Sequence, residues 1–485
     1  MSEPIPLARW GKVLDQTRCI GCHACSTACK SENGVPLGVH RTFVKAVDVG
    51  VFPLARRAYQ VTRCNQCDAA PCTTACPTRA MYRRPDGIVD FDKSICIGCK
   101  ACIAACPYDA IFINPNDHSA EKCNLCSHRI DAGLEPACVT VCPTGAIVVG
   151  DLDDPSSEVA RLVQRDAVMV RRPEKETRPK VFYKGAHHAT LDPLAARRSP
   201  LLMWSEQPTQ YAQGGTSSAA ALLSYDVAHS VPWDWRVSAY TWTKGIAAGV
   251  YLIALVCLAL GDAQPWRWTT PILATSFLAL TGIILIADLD HPERFYLIFT
   301  RHHGRSWLVR GAFIIAAYGA VLAVHLALSF FGRDAQWLAI PGGVLAAATA
   351  VYTAFLFAQA KARDLWQSPL LPPHLLVQAA LAGAAMLSLV APRPLLGWLL
   401  AGAAATHLVM ALGEVTLTHA TAHARAATRE LVAGRFRMHC WLGNALIACA
   451  LLAPWLPVAP AIAGLVGLLA YEHAHVQAGQ AVPLA

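Results

Sequence analysis

The sequence predicts two folds in one chain, an α/β ferredoxin-like double module followed by an all-α polytopic membrane domain of about eight transmembrane helices. Sixteen of the nineteen cysteines fall into four compact groups before residue 143. The second half runs repeatedly for about twenty residues with almost no charge, the length that crosses hydrocarbon. At 485 residues, with 54% hydrophobic content and mean hydropathy +0.35, the chain is too long for one domain and too apolar for an ordinary water-soluble one. These shifts place a cysteine domain at 1–150, an extended linker and partner-binding segment at 151–238, a membrane anchor at 239–473 and a tail at 474–485.

The first group is Cys19, Cys22, Cys25 and Cys29; the second is Cys64, Cys67, Cys72 and Cys76, followed by Pro77. The third is Cys96, Cys99, Cys102 and Cys106, followed by Pro107, and the fourth is Cys123, Cys126, Cys138 and Cys142, followed by Pro143. Groups one and three have the C-x2-C-x2-C-x3-C spacing in which three thiolates grip one [4Fe-4S] cube and the fourth ligates its neighbour. Four groups therefore imply four cubes. Disulfides are disfavoured because thiols two and three residues apart fit poorly with the Cα separation a disulfide needs. Structural zinc shares the C-x2-C element, but the closely following third cysteine and the Cys-Pro endings favour cubes.

Since each fourth cysteine serves another group's cube, the groups must pair. Groups two and three flank the short strand-like stretch 87–91 and form an inner module, with Cys64, Cys67, Cys72 and Cys106 on one cube and Cys96, Cys99, Cys102 and Cys76 on the other. Groups one and four form the outer module, with Cys19, Cys22, Cys25 and Cys142 on one cube and Cys123, Cys126, Cys138 and Cys29 on the other. Stretches 110–113 and 146–149 read as short strands that shield sulfur from water. His23, His118 and His128 read as surface or supporting residues. This half offers electron transfer and no substrate chemistry.

The linker is charged and irregular, with one helix expected over 156–168 capped by Ser156 or Ser157. Eight apolar spans follow, at 239–260, 270–289, 308–331, 337–359, 372–391, 395–413, 438–455 and 457–472. Their connections differ in charge. Ten Arg and Lys residues, among them Arg294, Arg310, Lys361 and Arg425, lie in the connections after spans two, four and six, against Arg267, Arg333 and Arg393 in the alternate ones. The positive-inside rule puts the first set in the cytoplasm, and an even span count then puts both termini and the cysteine domain there. The first residues, Met1-Ser2-Glu3-Pro4, show no export signal, which agrees. The formal charge of +8 needs no nucleic acid to explain it.

No facing histidine pair is legible in the anchor, where His325 and His407 stand apart, so no haem is expected. A quinone needs donors for its carbonyls and proton carriers. The candidates are Tyr240, Lys244, Asp288, His291, Arg294, Arg310 and Glu414, with helix-end structure or buried ion pairing as the plainer role for the charged ones.

With all four groups and three trailing prolines in place, residues 10–150 resemble the four-cluster electron-transfer subunits of the dimethyl sulfoxide reductase family of molybdopterin oxidoreductases. The anchor resembles that family's haem-free quinone-reactive subunits through Asp288-Leu289-Asp290-His291-Pro292-Glu293-Arg294-Phe295, Ser306-Trp307-Leu308-Val309-Arg310-Gly311 and Tyr352-Thr353-Ala354-Phe355-Leu356, continuing to Ala360-Lys361-Ala362-Arg363. The resemblance implies a large molybdopterin-containing catalytic partner, ubiquinone or menaquinone, and a bacterial inner-membrane location. With the cytoplasmic topology, it leads to an expected role in a sulfite dehydrogenase, passing electrons from cytoplasmic sulfite oxidation through four clusters to quinone. The alternatives are a quinol-oxidising subunit of a dimethyl sulfoxide, polysulfide, thiosulfate or arsenic oxyanion reductase, or a subunit of a larger quinone-linked respiratory complex. In each, the chain is non-catalytic toward the partner's substrate and carries the quinone site.

Overall fold

The computed structural model describes residues 8–198, 221–229, 231–456 and 458–484. It divides into two compact units, one of Met1–Pro232 with Ala360–Ala362 and Pro483–Ala485, the other of Trp233–Gln359 and Arg363–Val482.

In the first unit, Trp10–Asp15 is the centre of a four-stranded sheet, paired antiparallel with Ile147–Asp151 and parallel with Val181–Lys184. A second sheet is built on Thr42–Val49, antiparallel both to Arg56–Arg63 and to Ala221–Tyr225. Two hairpins, Met81–Arg83 with Val89–Phe91 and Ile111–Ile113 with Ala120–Lys122, flank the inner cysteine groups. The expected strands at 87–91, 110–113 and 146–149 are thus present. Their β-branched residues Val89, Ile111 and Ile147 are buried against the cysteines.

Residues 151–238 differ from the expected extended linker. The helix covers Glu158–Arg165, shorter than 156–168, with Ser157 at its N-cap but no cap bond from that side chain. Beyond it, Val181–Lys184 and Ala221–Tyr225 are strands inside the two sheets, with Val181 and Tyr183 fully buried. Local charge hides these strands because the partners that seat them in the sheets, Trp10–Asp15 and Thr42–Val49, lie well over a hundred residues upstream. The loop composition around Gln213-Gly214-Gly215 lies outside the described residues.

His229 forms ion pairs with Asp109 and with Asp226, the latter at 3.2 Å. Burial would lower its pKa, but Asp109 and Asp226 outweigh that and push it up to about 10. Because the folded value exceeds the unfolded one near 6.5, this stabilisation is complete below about pH 6.5 and is lost as pH rises through 10. Replacing His229 by Gln is expected to flatten the decline in thermal stability of the protein between pH 7 and 10. An unchanged slope would show that the pair contributes nothing.

The second unit is helical, with α1 (Trp235–Ala259), α2 (Thr269–Ala287), α3 (Trp307–Phe330), α4 (Ala339–Gln359), α5 (Leu371–Val390), α6 (Pro394–Thr416), α7 (Arg437–Cys449) and α8 (Ala459–Ala481) as its main elements. Among the described residues, six helices, α1 to α6, are long and apolar enough to cross a membrane, and they match the first six expected spans within four residues. The last two spans are not of that kind. The 13 residues of α7 extend about 20 Å at 1.5 Å per residue, short of a hydrocarbon core of about 30 Å. The 23 residues of α8 are long enough, but Glu472, His473 and His475 interrupt the apolar run.

Small residues set how closely the helices approach. A Cβ on Gly249 of α1 would fall 1.7 Å from the Ala379 carbonyl oxygen of α5, and one on Gly383 would fall 2.0 Å from Gly249. Lipid supplies no hydrophobic drive between helices, so such backbone-to-backbone packing carries their association. Gly383→Val is expected to destabilise the bundle by at least about 1–3 kcal/mol, the usual cost of overpacking. A lowered thermal midpoint in detergent would show this, and an unchanged midpoint would mean the helices can part without cost.

Candidate functional site

Each cysteine loop turns through left-handed backbone. Gly21 and His23 flank Cys22, Gly98 and Lys100 flank Cys99, and Leu125 precedes Cys126, all at φ between 52° and 70° including Cys126 itself. Curling the chain this way lets successive thiols face one hollow, and it costs least at glycine. Gly21 is further constrained because a Cβ there would meet the Tyr59 ring at 2.2 Å. Short helices at Ala24–Asn33, Pro71–Ala75, Ala101–Ala105 and Ala137–Thr140 then deliver the later cysteines.

The sixteen thiols converge in four sets of four. Cys19, Cys22, Cys25 and Cys142 line one hollow, and Cys76, Cys96, Cys99 and Cys102 line another. Cys29 lies against Cys123, Cys126 and Cys138. Cys64, Cys67 and Cys72 lie together with Cys106. Each set takes three cysteines from one group and its fourth from another. Neighbouring sets come within electrostatic reach of one another through Cys25 and Cys138, through Cys64 and Cys123, and through Cys72 and Cys102, which orders them in a linear succession. One end is open to solvent at Cys22, and at the other Cys99 is half-buried. His118 and His128 are exposed, the latter bonded to Glu32 at 2.8 Å, and His23 packs on Tyr225.

Charge tests what these sets can hold. Lys12 and Arg63 are 0% and 1% exposed, and their donors reach Cys138 Sγ at 3.6 and 3.1 Å. No carboxylate pairs with either among the described residues. Buried cations without a counter-charge are costly, so the hollow beside them suits a multiply anionic group such as a thiolate-ligated iron-sulfur cube. Burial alone would raise the Cys138 thiol, but Lys12 and Arg63 bring it down to about 7. Elsewhere burial dominates and pushes Cys29, Cys67 and Cys106 up to about 12.

In the helical unit, Lys244 is buried and donates to the Ala350 carbonyl at 3.0 Å and to Thr353 Oγ1 at 2.6 Å, with its ammonium 4.7 Å from the Tyr352 ring centre. Tyr240 is buried one turn earlier on α1, beside Tyr352 and Thr353 and within electrostatic reach of Asp288 at the end of α2. Glu414 belongs to a second cluster, accepting from Tyr471 at 2.9 Å and pairing with His475 at 2.9 Å. His374 and His407 bond each other at 3.0 Å nearby, and Thr241 donates to Glu472 at 2.8 Å.

The structure thus gathers Tyr240, Lys244 and Asp288, and places Glu414 in a neighbouring polar cluster. His291 bonds Glu293 at 2.9 Å in a turn after α2 that also carries Arg294. Arg310 is exposed, over the Trp307 ring and bonded to the Gly304 carbonyl. Sequence reasoning missed Thr353, His374, Glu472 and His475. The available signal was a run of ionisable residues at 472–475 in an otherwise apolar helix. His325, read as standing alone, packs between Tyr251 and Trp266.

Residues 224–482 match the family model described as "Polysulphide reductase, NrfD", and residues 55–152 match "4Fe-4S dicluster domain". A tetrathionate reductase subunit of Salmonella typhimurium is 43% identical over 212 residues, covering 42% of this chain and 83% of the relative. The arsenate respiratory reductase iron-sulfur subunit ArrB of a Shewanella species is 37% identical over 223 residues, 36% of this chain and 95% of the relative. A polysulfide reductase component of Wolinella succinogenes is 40% identical over 177 residues, 36% of this chain and 93% of the relative.

Proposed function

Because this protein belongs to the polysulphide reductase, NrfD, family and carries an iron-sulfur module ahead of that domain, we propose that it is the quinol-oxidising electron-transfer and anchor subunit of a membrane-bound molybdoenzyme reductase. The observation that carries this is the linear succession of four thiol sets in the same polypeptide as a bundle with a buried lysine, tyrosine and aspartate.

Each thiol set holds one [4Fe-4S] cube, and the cubes, when bound, carry electrons singly between the quinone and the catalytic partner. The protein's part at the quinone is binding and proton handling. Lys244 and the Tyr240 hydroxyl supply donors for a carbonyl oxygen, and Asp288 and Glu472 are the nearby groups able to hold a proton. Glu414, paired with His475, is placed to pass protons on. His291, Arg294 and the exposed Arg310 are assigned to the bundle's charged rim.

The substrate class is a sulfur or arsenic oxyanion, or polysulfide. The names of the relatives, reductases of tetrathionate, arsenate and polysulfide, favour this alternative over the expected sulfite oxidation. Electrons accordingly run from quinol to the partner. We assign α8, with the shorter apolar α7 packed on it, to complete an eight-helix anchor, and the arginine bias assigns the cysteine unit and both termini to the cytoplasm. Six or eight spans give the same sidedness. Membranes holding the complex should oxidise quinol on addition of tetrathionate, polysulfide or arsenate. Quinone reduction driven by sulfite, with none of the three acceptors active, would overturn the assignment.

A further inference from the structure

The four thiol sets do not receive the same donors. Cys76, Cys96 and Cys142 are met by backbone N–H groups of Met81, Ala120 and Ala146 at 3.4, 3.5 and 3.3 Å. Those donors are neutral. The set Cys29, Cys123, Cys126 and Cys138 instead receives Arg63 at 3.1 Å and Lys12 at 3.6 Å on Cys138, and Asn33 Nδ2 at 3.6 Å on Cys126 and 3.8 Å on Cys29. It is second in the succession, next to the set that contains the exposed Cys22.

Three further buried cations of this unit, Arg41, Lys180 and Lys122, bond oxygen and not sulfur. Arg41 is paired with Glu121 at 3.0 Å, Lys180 binds the Gly87 carbonyl at 2.6 Å, and Lys122 binds the carbonyls of Val89 and Cys123. Lys122 also acts on Cys64 and Cys72 through space, but among the described residues its ammonium bonds carbonyls and no sulfur.

We propose that Arg63 and Lys12, assisted by Asn33, are positioning residues that raise the reduction potential of the cube held by Cys29, Cys123, Cys126 and Cys138. The inference rests on the proposal that each set holds a cube. Adding an electron raises the cube's negative charge by one, and fixed positive charge with N–H donors at its sulfurs stabilises that reduced form more than the oxidised one. The consequence is a resting place for one electron near one end of the path. A two-electron donor and a two-electron acceptor can then exchange electrons one at a time, because the first waits there for the second.

The test is a potentiometric titration of the full-length protein, purified anaerobically and followed by electron paramagnetic resonance, with Cys126→Ser identifying the signal of this set. Arg63→Gln should lower the midpoint of that signal by at least the equivalent of a tenfold change in its oxidised-to-reduced ratio, about 59 mV for one electron. Lys12→Met should lower it less, and Arg63→Lys should restore most of the loss. Should Arg63→Gln assemble without iron, Lys12→Met and Arg63→Lys decide the matter in the same way. A full iron complement with the midpoint unmoved, or a shift in a signal that Cys126→Ser leaves intact, overturns the inference alone. A wild-type protein lacking cubes would instead overturn the reading on which it rests.

Discussion

Cys123→Ser is expected to reduce quinol-linked turnover of the assembled complex by more than the roughly 10–100-fold that altering groups behind a metal ligand costs. Cys123 belongs to the second thiol set and is within electrostatic reach of Cys64 of the third, so its loss interrupts the succession at the junction of the inner and outer modules. Damage also reaches the fold. An incomplete cube weakens the counter-charge for Lys12 and Arg63, both fully buried beside Cys138. Leaving a buried charge uncompensated costs about 3–5 kcal/mol. Rate measured with quinol and thermal stability should therefore fall together. A variant with its full iron complement and undiminished turnover would show that electrons bypass this set.

Lys244→Met is the second large effect. Methionine fills similar space but leaves the Ala350 carbonyl and Thr353 without their ammonium donor and removes the positive charge near Tyr352. If Lys244 donates to a quinone oxygen on which charge develops, quinol oxidation should fall by about 10²–10³-fold, the usual loss on removing one such donor. Turnover driven by a dye that reduces the iron-sulfur unit directly should persist, which separates a quinone defect from a broken path. Equal loss in both assays would assign Lys244 to bundle structure instead.

Much of the first unit's site is legible because its chemistry is local. Cysteines two and three residues apart on a tight loop can face only a shared centre, and reciprocal use of the fourth cysteine restricts which groups meet. The structure places Cys142 with Cys19 and Cys29 with Cys123 as the spacing requires. The cations were not legible. Lys12 and Arg63 lie 126 and 75 residues from Cys138, and their neighbours in sequence give no sign that they face sulfur.

The framework strands were hidden for a similar reason. Val181–Lys184 reads as part of a charged segment until Trp10–Asp15 is placed beside it. In the anchor, hydropathy marks α1 to α6 well because each is a continuous apolar run of transmembrane length. It does not decide which polar residues turn inward. Arg310 and Glu414 looked alike as charged residues near helix ends, yet one is exposed and the other buried against His475 and Tyr471. Sidedness of a helix depends on its neighbours, and those are set by contacts such as Gly249 against Gly383.

Counting iron and acid-labile sulfide per polypeptide in anaerobically purified full-length protein tests the central claim most directly. Four cubes require about sixteen of each, held by the sixteen clustered cysteines. A value near sixteen supports an electron path built on all four thiol sets; a polypeptide that carries zinc, or only a fraction of that iron, would contradict it.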